Sequence, residues 1–258
     1  MCMDKIQIWQ SLLIGVWVWL VMSRVLFGQA TQYLRNSGLM TGLVVGLILG
    51  DVTMGITIAA SIQLMYMGMV GPGGTQPSEP SVATAVAVPT AILGGLSATQ
   101  AITIAIPIGI LGAYLYTLRT FLNTFIYRIV DKNASNINDK GLTLSIIALP
   151  LLASFILYVP VIFLSVQYGA PLIANWLSTA ASESLLHVLG TIGGGLAAVG
   201  IASAVYVISR HDYLPFFVLF YFGAVLAPQV NSLVWAIVAT CIAIIYVVHR
   251  NETKNLIS

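Results

Sequence analysis

Nine apolar stretches, at 6–27, 38–50, 54–70, 82–96, 100–118, 142–167, 185–208, 213–229 and 231–249, fill most of the chain, with polar connections between them. A helix needs about 20 apolar residues to cross the hydrocarbon core of a bilayer. In lipid every backbone polar group must be satisfied within the protein, which leaves helices as the reading of these runs. The pattern therefore predicts an all-α polytopic membrane protein. Two stretches, 54–70 and 82–96, are short against that requirement, and GPGGTQPSEPSVAT (71–84) lies between them. Two short helices meeting at a Gly/Pro-rich break predict a re-entrant hairpin or an unwound span. Irregular backbone at membrane depth leaves N–H and C=O groups that protein or a water-filled cavity must satisfy. Those groups can equally bond a polar solute, so such interruptions point to a transport site. The competing reading is a polar loop outside the membrane. The presence of Gly71, Gly73, Gly74, Gln76, Ser78, Glu79, Ser81 and Thr84, with no lysine among them, favours the site.

Small residues recur at four-residue intervals just before this break. Gly42, Gly46 and Gly50 share one helix face, and Gly55, Ala59 and Gln63 share the next. Small faces let membrane helices approach closely. Gln63 then points into protein, either toward a solute or as hydrogen-bonding glue to a neighbouring helix. Asp51, between two apolar runs, is either the N-cap of the helix beginning near Thr53 or a ligand of the transported species. In the second half, 192–208 is a small-residue helix suited to tight packing or sliding, and Glu183 and His187 share a helix face. Two ligands alone make a weak metal site, and none is expected. His211, Asp212 and Tyr213 read as a polar turn at the membrane edge, and His249 belongs to the tail.

Composition sharpens this picture. Across 258 residues, 59% are hydrophobic and 7% charged, against roughly 25% charged in soluble domains. No polar block is long enough for a soluble catalytic domain, and the chain has no G-x-x-x-x-G-K-[ST], G-x-S-x-G or H-E-x-x-H motif. No catalytic residue and no cofactor are expected. Cys2 and Cys241 form neither a metal spacing nor a disulfide framework. The net charge of +2 gives no nucleic-acid signal. Arg119, Arg128, Lys132 and Lys140 cluster in the one long polar stretch, 119–141, which is expected to be cytoplasmic, as is the tail with Arg250 and Lys254. That stretch divides a single membrane domain, 1–258, into two halves. Arg24 and Arg35 flank another connection and leave the side of the N-terminus open. The N-terminal run lacks an A-x-A-like cleavage site and reads as a retained first span.

Several of these stretches resemble one family. GLVVGLILGDVTMGITIAASIQLMYMGMVGPGGTQPSEPSVATAVA, then GTIGGGLAAVGIASAV and RHDYLPFFVLFYFGAV, resemble the IIC subunit of the mannose-type sugar permeases of the bacterial phosphotransferase system. The most specific elements are G-x-x-x-G-D-x-x-x-G at Gly46, Gly50, Asp51 and Gly55, the polar segment that follows, and YLPFF at 213–217. The resemblance implies a multi-pass protein of the bacterial inner membrane, with inverted repeats, re-entrant or broken helices and an elevator-type motion. It also implies a IID membrane partner, soluble IIA and IIB phosphocarriers, a sugar substrate and an oligomer of IIC–IID units. Phosphoryl transfer is left to the partners. Gln63 stands where many members have a glutamate, and Ser78 where they have a proline. GGTQPSEP leans toward the N-acetylgalactosamine branch. The expected sugar cradle is Gln63, Gly73, Gly74, Gln76, Ser78, Glu79 and Thr84, with Asp51 structural or at the site. An ion-coupled sugar carrier using Asp51 and Glu79 is the alternative, and a docking site for bacteriocins or phage a secondary role.

Overall fold

The computed structural model describes residues 6–23, 28–67, 78–137, 139–180, 183–208, 214–227 and 229–255, and among them every regular element is helical. The chain forms two compact units, Met1–Ala204 and Val205–Ser258. The first begins with α1 (Ile8–Met22), α2 (Ala30–Asn36), α3 (Gly38–Leu49) and α4 (Val52–Tyr66), followed by α5 (Pro80–Gly94) and α6 (Ala98–Ser135). A long helix then runs through α7 (Asp139–Thr143), α8 (Leu149–Leu164) and α9 (Ala170–Ala180), with π-helical turns at Leu144–Ala148 and Ser165–Gly169. α10 spans Glu183–Ile208.

The tight hairpin is α3–α4, whose two-residue connection divides its work between two side-chain types. Gly50 closes α3 with φ +83°, the left-handed conformation that costs glycine nothing. Asp51 opens α4, its carboxylate accepting from Met54 N–H at 3.0 Å. The small faces expected from the sequence pack against each other: a Cβ on Gly55 would lie 2.7 Å from Gly46 Cα and 2.8 Å from the Gly42 carbonyl oxygen. Gly50 is not part of that contact. It has open space around it and is glycine for its backbone angle.

α5 is the centre of the first unit. Every residue from Pro80 to Ala91 is buried, and most are Ala, Val, Ser or Thr, which lets α3, α4, α6 and α9 close on it from all sides. Pro80 starts it at the first helical position, where a missing N–H costs nothing. The two π turns share one cause. Each ends two residues before a proline, Pro150 or Pro171, whose ring clashes with the carbonyl four residues back. A widened turn relieves that clash.

Two expectations change. The stretch 119–141 is not an extended polar connection: α6 continues to Ser135, 38 residues in all, and α7 begins at Asp139. No glycine or proline occurs from Ala113 to Lys140, so polarity marks the exit from lipid without ending the helix. At 1.5 Å per residue α6 is about 57 Å long, well beyond a ~30 Å hydrocarbon core. The Arg24–Arg35 connection contains α2, at seven residues too short to leave a periodic signal.

The small-residue helix α10 packs as expected, with Gly193 against the Thr99 carbonyl and Gly200 against the Leu64 and Met65 backbone. In the second unit, α11 (Leu214–Leu226) and α12 (Ser232–Asn255) meet through aromatic edges, Phe216 on Tyr246 at 5.5 Å and Phe220 on Trp235 at 6.2 Å. Among the described residues three helices, Ala98–Ser135, Asp139–Trp176 and His187–Val207, are long and apolar enough to cross a membrane, and several shorter apolar helices accompany them.

Candidate functional site

Arg35, Thr41, Ser78, Glu79, Ser81 and Thr84, all buried polar residues of the first unit, gather at the entry to α5, where the α2–α3 junction, the end of α4 and the middle of α6 converge. Glu79, the N-cap residue of α5, is wholly buried. Its backbone N–H donates to the Gly109 carbonyl at 3.0 Å. Its carboxylate receives a two-pronged bond from Arg35, Nε to Oε2 at 2.8 Å and Nη2 to Oε1. The Arg35 guanidinium lies over the Tyr116 ring, 3.8 Å from its centroid. Such a pair is stable away from water only because each ion's charge is matched by the other's. α6 can come this close because it carries glycine where it meets the start of α5: a Cβ on Gly112 would lie 2.9 Å from Glu79 Cβ, and one on Gly109 would collide with Ser78 and Tyr66.

Around this pair the hydroxyls form two chains. Tyr66 Oη and Ser78 Oγ share a hydrogen bond of 2.9 Å. Ser81 Oγ reaches the Arg35 carbonyl at 2.8 Å and the Leu34 carbonyl at 3.1 Å, and accepts from Thr41 Oγ1 at 3.2 Å. The second chain ties the C-terminal end of α2 to α3 and α5. Arg119, one α6 turn from Tyr116, donates to the Met22 carbonyl at 2.6 Å.

The expected cradle residues divide as follows. Gln63, Ser78, Glu79 and Thr84 come together around residues 78–84, while Gly73, Gly74 and Gln76 lie outside the described residues. Gln63 is half-buried; its Oε1 accepts from Gly38 N–H at 2.7 Å and its Nε2 donates to the Asn36 carbonyl at 3.4 Å, so it closes the start of α3. Thr84 Oγ1 is buried and has no hydrogen-bond partner. It faces Gly38, where a Cβ would lie 2.7 Å from it and 3.3 Å from Gln63 Oε1. Asp51 sits at the far end of the hairpin as a helix cap. His211, Asp212 and Tyr213 are outside the described residues. Among the described residues no three His, Cys, Asp or Glu side chains group as a metal site.

An apolar cavity of about 480 Å³ lies beside the polar cluster, lined by α5, α6, α8 and α9 residues including Val86, Ile108, Leu115 and Ile162. Gly112, which abuts Glu79, forms part of its wall. It offers a sugar few hydrogen-bonding groups.

Residues 8–245 match the sequence profile of the family described as the sorbose-specific IIC component of the phosphotransferase system. The chain belongs to this family of mannose-type IIC subunits. It is 25% identical over 194 residues to the sorbose-specific EIIC component of Klebsiella pneumoniae, covering 75% of this chain and 72% of that protein. Among solved structures, one titled only as a membrane protein superposes with a TM-score of 0.74 at 23% identity, covering 94% of this chain and 96% of that one. A mannose transporter ManYZ complex with microcin E492 superposes at 0.55 and 22% identity over the same shares. These two likenesses establish the fold. As a IIC subunit the chain is a multi-pass protein of the inner membrane and a sugar-transport component. Its system includes IID, IIA and IIB proteins and a sugar.

Sequence reasoning read Arg35 only as flanking a connection and did not pair it with Glu79. The two are 44 positions apart, and no local pattern announces their bond. Tyr66 and Tyr116 were missed for the same reason. The one available signal was numerical: a buried carboxylate needs a cation, and the chain holds only ten Lys and Arg.

Proposed function

We propose that this IIC subunit carries a hexose or N-acetylhexosamine inward for phosphorylation by the IIB partner, using Gln63, Gly73, Gly74, Gln76, Ser78, Glu79 and Thr84 as the sugar cradle. The observation that carries the reading is the convergence of Gln63, Ser78, Glu79 and Thr84 on the entry to α5, a concentrated polar layer in an apolar unit. Sugar hydroxyls need paired donors and acceptors, and this layer offers both. Thr84 and Glu79 are shut off from solvent in this arrangement, so the sugar enters when α3–α4 and α5 part. An elevator-type displacement then carries the loaded site across the membrane, with 119–141 as the internal boundary and oligomerised IIC–IID units as the fixed frame. The GGTQPSEP segment leans the substrate toward an N-acetylhexosamine. The subunit itself carries out no phosphoryl transfer.

The test is uptake of radiolabelled mannose, sorbose and N-acetylgalactosamine by vesicles containing this chain and its IID partner, with and without phosphoenolpyruvate and the soluble components. Phosphoenolpyruvate-dependent accumulation of one sugar supports the reading. Uptake that follows a proton or sodium gradient and ignores phosphoenolpyruvate overturns it in favour of an ion-coupled carrier. Thr84→Val supplies the site-level check. Losing one neutral hydrogen bond to the sugar raises KM by about fivefold, while the folded protein, which gives this hydroxyl no partner, keeps its thermal stability.

A further inference from the structure

Glu79 is held at four points, and one of them is a side chain from a distant element. Its N–H is fixed on Gly109, its Cβ abuts Gly112, Pro80 follows it, and Arg35 grips its carboxylate. Arg35 is itself immobilised: the Tyr116 ring covers one face of the guanidinium, and Ser81 Oγ bonds the carbonyls of Leu34 and Arg35. The fork geometry matters here. A carboxylate has about four lone-pair directions, and a bidentate guanidinium takes one on each oxygen. The remaining direction on each oxygen is thereby fixed in the plane set by Arg35. A lysine carries the same charge but fixes no such plane.

We propose that Arg35 is a positioning residue for sugar recognition: its two-pronged bond, clamped by Tyr116 and Ser81, aims the unused lone pairs of Glu79 at a pair of sugar hydroxyls. The inference rests on the reading above that Glu79 belongs to the cradle. It makes α2, a seven-residue helix outside the expected site, part of the specificity apparatus. It also explains why a costly buried ion pair stands where a hydrophobic pair would pack as well.

The experiment measures KM for phosphoenolpyruvate-dependent uptake, together with thermal unfolding of the purified IIC–IID complex, for Arg35→Lys, Glu79→Gln and the double variant Arg35→Met with Glu79→Leu. The double variant removes both ions at once and leaves no buried charge unpaired, so it retains wild-type thermal stability. If the pair serves recognition, KM in the double variant and in Arg35→Lys rises about tenfold or more, the effect of misplacing a charge-assisted hydrogen bond. A double variant that is stable and keeps the wild-type KM overturns the proposal and leaves the pair a packing device. Should the double variant fail to assemble, Arg35→Lys decides: an unchanged KM in the surviving complex overturns the proposal equally. Glu79→Gln separates the two levels. If it leaves KM unchanged, Glu79 is not at the sugar and the cradle reading fails at that residue. If it raises KM while Arg35→Lys does not, only the role of Arg35 fails.

Discussion

A single buried charge sets the energetic stakes at the residue scale. Replacing Glu79 with alanine leaves the Arg35 guanidinium uncompensated between Tyr116 and α5, which costs about 3–5 kcal/mol in comparable buried pairs. We expect Glu79→Ala to lower the thermal midpoint of the detergent-solubilised complex and the amount inserted in the membrane, which a melting curve and quantitative blotting measure. Loss of transport in that variant alone would say nothing about sugar contact. Asp51 is a cheaper feature. Its carboxylate bonds one free N–H at the start of α4, so Asp51→Ala should lose about 1 kcal/mol and Asp51→Asn almost nothing, since asparagine caps equally well. Unaltered uptake by Asp51→Asn accompanies the capping role, whereas a ligand role would lower it sharply.

At the scale of elements, glycines with similar sequence surroundings have different jobs. Gly55 faces the backbone of α3 at distances that exclude a methyl group, whereas Gly194 and Gly195 of α10 have open space around them. Gly55→Ala should therefore destabilise by about 1–3 kcal/mol through overpacking. Gly195→Ala should be neutral or stabilise by up to about 1 kcal/mol, because it only removes chain entropy from a helix interior. Thermal unfolding of the two variants side by side checks the contrast. The four-residue spacing of Gly42, Gly46, Gly55 and Ala59 made the α3–α4 contact legible in advance, since one face of a helix repeats at that interval. Gly50 continues the same spacing but belongs to the turn. Periodicity does not reveal where a helix stops.

For the whole molecule, the charge distribution carries an expectation about which face is cytoplasmic. Arg128, Lys132 and Lys140 lie at the C-terminal end of α6 and the start of α7, where the chain turns back. By the positive-inside rule we expect that turn in the cytoplasm. In a variant lacking Cys2 and Cys241, a cysteine introduced as Asn136→Cys should react with a membrane-impermeant maleimide in inside-out vesicles and resist it in intact cells. The reverse labelling would invert the topology and put the IIB-facing side of the protein at the opposite end of α6.

The sequence by itself determined the helical class, the membrane environment, the small-residue contacts and the neighbourhood of the polar site. Each of these depends on local composition and spacing, which apolar runs of 13 to 26 positions display openly. It also brought Gln63, Ser78, Glu79 and Thr84 under suspicion as one group. Only the tertiary structure decided that Glu79 faces Arg35, that Gln63 closes the start of α3 and that Thr84 is left without a partner. The physical reason is that ion pairs and hydrogen bonds between helices are chosen by packing. Residues 44 positions apart meet because Gly109 and Gly112 admit α6 against α5 and because Ser81 draws in the end of α2. No periodic pattern encodes such a meeting.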